Sequence, residues 1–65
     1  MHRIKDLREA KGLTQEQVAQ RLGVTQGTIA HWESGARTPT LSNMVKIADV
    51  LGVSLDEAMG RTAVS

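Results

Sequence analysis

The side chains best placed to do chemistry lie between Gln15 and Ser34 (QEQVAQRLGVTQGTIAHWES), and they are mostly amides and hydroxyls. Their chemistry is hydrogen bonding rather than bond making. The chain has no cysteine, which removes disulfides, thiolate zinc sites and sulfur nucleophiles together. His2 and His31 stand 29 residues apart, and no Ser/His/acid set or glycine-rich phosphate loop is present. Asp56 and Glu57 are adjacent, so on a helix their carboxylates point to different sides. These patterns predict no catalytic residues, no metal ligands and no cofactor. What remains is a surface that donates and accepts hydrogen bonds.

That surface needs elements to hold it. Val18, Leu22, Val24, Ile29 and Trp32, with small Ala19, read as the inner faces of two short helices, and Gly23 falls where the first must stop. The second helix then shows water an uncharged, hydrogen-bonding face. Such a pair lets one helix stand in a DNA major groove while the other braces it, the arrangement of a helix-turn-helix. Glycines 12, 23, 35, 52 and 60 each follow a segment of helical periodicity. Thr14, Thr25, Thr40 and Ser54 stand where N-caps belong, and Thr14-x-x-Gln17 and Ser54-x-x-Glu57 have capping-box spacing. The spacing predicts helices near 2–11, 15–22, 26–34, 41–51 and 55–59. Ile4 and Leu7 supply the inner face of the first. Leu41, Met44, Val45, Ala48 and Leu51 form an i, i+3, i+4, i+7 stripe on the fourth, and Val53 and Leu55 close the far end. There is no alternating run, Phe or Tyr, so the fold class is all-α.

Sixty-five residues make one domain, read here as residues 1–60 with a short tail at 61–65. A chain of this size buries roughly 60% of its unfolded surface and is marginally stable. No apolar run approaches the ~20 residues of a membrane span, and the N-terminus lacks a signal-peptide core, so a cytoplasmic location without membrane contact is expected. A net charge of +1 is weak on its own. Its distribution says more: residues 1–39 carry six Lys/Arg against four acids, and residues 40–65 carry two against three. The positive excess lies on the side that holds the candidate DNA-reading helix.

The segment LTQEQVAQRLGVTQGTIAHWESGARTP, followed by LSNMVKIADVLGVSLDEAM, resembles the lambda-repressor/Cro-like helix-turn-helix family, also called the xenobiotic-response-element family. Beyond the helix hairpin, the resemblance rests on W-E-x-G-x-x-x-P (Trp32, Glu33, Gly35, Pro39) and on a fourth helix ending L-G-V-S. It implies a compact five-helix domain with the helix-turn-helix at helices 2 and 3. Such domains bind double-stranded operator DNA, commonly as two-fold symmetric dimers.

Carried over by the resemblance, Gln15 matches a glutamine that bonds a phosphate, and Gln26 one that reads a base; a glutamine amide can satisfy both N6 and N7 of adenine. Thr28 and His31 lie two and five residues further on, where they can reach the same groove. Ser34, Arg37 and Thr40 match the loop that grips the next phosphates. Arg8 and Glu33 match a pair that ties the first helix to the end of the recognition helix. Trp32, three residues after Ile29, is read as core rather than as a stacking platform. Gly27 departs from the family, which usually has a side chain there. Either the backbone packs closely on DNA at that point, or one base pair of the half-site is loosely specified. Leu55, Met59 and Val64 make either a dimer contact or intramolecular packing.

The sequence therefore reads as a small transcriptional repressor or regulator that recognises an operator as a homodimer. The rival reading is an antitoxin or adaptor that uses the same fold to hold a protein partner. No small-molecule ligand or sensor segment is evident in this chain.

Overall fold

Five helices follow one another in a computed structural model that describes residues 3–60: α1 (Ile4–Ala10), α2 (Gln15–Leu22), α3 (Gln26–Ser34), α4 (Leu41–Leu51) and α5 (Leu55–Ala58). No strand occurs among the described residues. The expected tail at 61–65, His2 and Val64 lie outside them. The first helix is shorter than the expected 2–11 and the last one residue shorter than 55–59.

The punctuation works through hydrogen bonds. Thr14, Thr25, Thr40 and Ser54 each accept, on their hydroxyl oxygen, the backbone N–H three residues ahead. Each thereby satisfies a donor that would otherwise face water at a helix start. At Thr14 the box is complete, because Gln17 Oε1 also accepts the Thr14 N–H at 2.8 Å. Gly23 closes α2 at φ 74°, a left-handed conformation costly for residues with a Cβ.

The core gathers one face from every helix: Ile4 and Leu7, Val18 and Ala19, Ile29 and Trp32, Met44, Ile47, Ala48 and Leu51, and Ala58. Full burial of one such aliphatic side chain contributes about 1.5–3 kcal/mol. Val53 and Leu55 pack against this core as the sequence predicts. The Arg3 N–H donates to Ala58 C=O at 3.1 Å, tying the start of α1 to the end of α5.

The fourth helix is rotated from its predicted register. Ile47, absent from the expected stripe, is fully buried, whereas Leu41 and Val45 are 64% and 51% exposed. Seven of the eleven residues of LSNMVKIADVL are apolar, so two overlapping stripes share Met44, Ala48 and Leu51. Packing of α4 against α1, α2 and α5 selects the stripe through Ile47 and leaves Leu41 and Val45 facing outward. No helix among the described residues is long and apolar enough to cross a membrane.

Candidate nucleic-acid interface

Helices α2 and α3 meet through Gly23–Val24–Thr25. The Val24 N–H reaches back to Ala19 C=O at 3.0 Å, and half-buried Val24 packs on the core, so the turn is held from both sides. Gln15 and Gln26 are the first residues of their helices. The turn brings these two N-termini together, and Gln26 Nε2 donates to Gln15 Oε1 at 3.3 Å.

Beneath this amide pair lies a charged anchor. Arg8 Nε and Nη2 donate to Glu33 Oε2 and Oε1 at 2.6 and 3.0 Å, a bidentate pair across 25 residues of sequence. Arg8 Nη1 donates to Leu13 C=O at 2.8 Å. Gln15 Nε2 donates to Glu33 Oε1 at 3.0 Å. The side chains of Arg8 and Glu33 are only 10% and 4% exposed. Burial pushes the Glu33 carboxyl up, but hydrogen bonds from Arg8 and Gln15, with the charges of Arg8 and Lys5, outweigh it and hold the group below the usual glutamate range. The hydrogen bond to Glu33, against partial desolvation, raises Arg8 above its already high value.

The outer face of α3 carries Gln26, Gly27, His31 and Ser34, all exposed. Thr28 is half-buried; its hydroxyl lies 2.9 Å from that of Thr25, while its N–H caps onto Thr25 Oγ1. The loop after α3 is organised around one carbonyl: Ser34 Oγ and the Arg37 N–H both donate to His31 C=O, at 3.1 and 3.2 Å. Ser34 has thereby spent its proton internally. Thr40 Oγ1 accepts the Asn43 N–H at 3.1 Å, which leaves the Thr40 proton free to donate outward. The backbone of Arg37 is fixed and its side chain is exposed, pointing a cation into solvent beside α3. Trp32 is 4% exposed and belongs to the core.

A Cβ added at Gly27 would meet only Thr25 Oγ1, at 3.8 Å. Nothing among the described residues requires glycine there. Gly27→Ala is expected to stabilise the fold by about 0.5–1 kcal/mol and raise its melting temperature. An unchanged or lowered midpoint would count against a relaxed helical backbone at this position.

A family model described as helix-turn-helix matches residues 4–57, from the first residue of α1 into α5. The chain belongs to the helix-turn-helix family. Among helix-turn-helix relatives it is 43% identical over 61 residues to the cryptic phage CTXphi transcriptional repressor RstR of Vibrio cholerae, covering 94% of this chain and 54% of that one. It is 34% identical over 61 residues to the transcriptional regulator AnsR of Bacillus subtilis, covering 94% and 53%. The chain thus spans about half the length of these relatives. Its fold matches the crystal structure of a provisionally assigned DNA-binding protein from Bacteroides fragilis with a TM-score of 0.84 and 32% identity, over 88% of this chain and 92% of that one.

Two features of this helix-turn-helix escape the sequence. The contacts of Gln15 with Glu33 and with Gln26 cross 18 and 11 residues, and no periodicity links such positions. The role of His31 C=O as a loop anchor is a backbone feature with no residue-type signal.

Proposed function

We propose that this chain binds double-stranded DNA sequence-specifically as a transcriptional repressor or regulator, with α3 in the major groove and α2 braced across the phosphates. The observation that carries the reading is the amide pair at the start of both helices, beside an outward face of α3 that carries no charge. An amide on a helix N-terminus suits a base edge, and the free N–H groups at the start of α2 suit a phosphate. Gln26 reads a base, with His31 and Thr28 further along the same helix; Thr28 must turn its hydroxyl from Thr25 to take part. Gln15, Arg37 and Thr40 hold phosphates. Ser34 contributes through the loop it stiffens, because its proton is already used. The chemistry is binding in the cytoplasm, with no cofactor or catalytic step.

Selection from a random duplex pool at physiological salt tests the reading. Enrichment of a defined half-site supports it, and a flat pool with only salt-sensitive retention overturns it.

One such domain reads few base pairs, so two copies are expected on an operator, with recognition helices ~34 Å apart. The surface suited to the second copy is an apolar groove of about 420 Å³ lined by Pro39, Leu41, Met44 and Met59. Gly35, Arg37 and Thr38 border it, so it begins where α3 ends. Leu41→Lys is expected to leave the fold intact and to abolish two-copy occupancy of an inverted repeat in gel-shift stoichiometry. Undiminished two-copy occupancy would place the contact elsewhere.

A further inference from the structure

We propose that Gly27 is a specificity-determining residue whose missing side chain seats the first turn of α3 directly against the base edges, backbone to DNA. The proposal rests on the reading that α3 enters the major groove.

Glycine has two uses in a fold: it adopts left-handed backbone, and it lets the backbone come close to a neighbour. Five of the six glycines serve the first use, since Gly12, Gly23, Gly35, Gly52 and Gly60 have φ between 69° and 85°. Gly27 does not; it lies within α3 and has no positive φ. The domain does not crowd it either. Thr25 Oγ1 would stand 3.8 Å from an added Cβ, an ordinary contact, and among the described residues no atom of another helix comes within 4 Å. A stronger helix former would hold α3 better at this position. Close approach is the use that is left, and what approaches is not part of the domain. Locally costly choices of this kind gather at functional sites.

Position names the neighbour. Gly27, His31 and Ser34 are spaced i, i+4, i+7 and are exposed, on the side of α3 away from buried Ile29 and Trp32. A side chain at Gly27 would therefore lead away from the core at the N-terminal end, the end whose residues meet base edges in a helix-turn-helix. With hydrogen in place of Cβ, the Gly27 Cα can rest at about 3.5–4 Å from a base edge. An added Cβ holds the helix off and withdraws Gln26, one residue earlier. Hydrogen bonds to base edges tolerate little of this, because their heavy-atom distances span only about 0.5 Å. Long, flexible Arg37 can follow a phosphate through the same displacement. Gly27 thus governs direct readout more than overall grip.

The test compares the unaltered chain, Gly27→Ala and Gly27→Leu by urea unfolding and by anisotropy titration. The titrations use the duplex enriched from the random pool and an unrelated duplex of equal length. Both variants are expected to unfold at higher urea. Affinity for the enriched duplex should fall roughly tenfold or more for Gly27→Ala and further for Gly27→Leu. Affinity for the unrelated duplex should change by less than about threefold, since phosphate contacts dominate it. A purely structural role would not move stability and affinity in opposite directions. Unchanged or tighter binding of Gly27→Ala to the enriched duplex would overturn the close approach and leave the facing base pair loosely specified. Equal losses on both duplexes would overturn it too, by placing the added methyl against phosphates instead of bases. A flat pool removes the reading that α3 selects sequence, and this inference with it; an enriched half-site bound undiminished by Gly27→Ala removes the inference alone.

Discussion

Arg8→Ala is expected to lower the unfolding free energy by roughly 3–5 kcal/mol, most of the stability of a domain this small. The loss exceeds the worth of the ion pair itself. Removing the guanidinium strands the Glu33 carboxylate at 4% exposure with only Gln15 as a partner, and it leaves Leu13 C=O without its 2.8 Å donor. Urea unfolding followed by circular dichroism checks this, and a midpoint equal to that of the unaltered chain would refute it. Acid should act on the same pair. Glu33 titrates lower in the folded chain than in the unfolded one, so the unfolded state takes up the proton first. Its contribution is fully present above the ordinary glutamate range and is lost as pH falls through the depressed folded value. Glu33→Gln should flatten the fall in melting temperature below about pH 4. A fall as steep as that of the unaltered chain would assign acid lability to other carboxylates.

The second large effect concerns DNA. Gln26→Ala is expected to cost about 1–3 kcal/mol per half-site, hence roughly 2–6 kcal/mol on an operator bound by two copies. That is at least thirtyfold in affinity for the selected sequence. Affinity for unrelated DNA should change little, because Gln26 adds no charge to the interface. Arg37→Ala makes the contrast: a loss shared across all sequences, with the salt slope reduced by about one per copy. Anisotropy titrations over a salt series separate the two patterns. Equal losses on selected and random duplexes for Gln26→Ala would remove it from base recognition.

The helix boundaries were largely legible because caps and stops are local chemistry. Thr14 with Gln17, Thr25, Thr40 and Ser54 each act on an N–H three residues ahead. The face of α4 was not legible, since its seven apolar residues satisfy two stripes and only contact with the other helices separates them. At the candidate site, the outward position of Gln26 and His31 follows from helical phase once Ile29 and Trp32 are seen to point inward. The internal commitments of Thr28 and Ser34 do not follow. They depend on hydroxyl partners at Thr25 and His31 that composition cannot reveal.

Trp32 is the only aromatic residue of the Phe, Tyr and Trp type in the chain, and it sits in the core on the helix that carries Gln26 and His31. The near-ultraviolet emission of this protein therefore comes from a single indole, with no tyrosine background. Unfolding moves that indole from an apolar surround into water and shifts its emission to the red. The proposed docking of α3 on DNA is expected to reach the indole only through the helix it belongs to. One unlabelled fluorophore thus separates loss of fold from loss of binding in every variant named above.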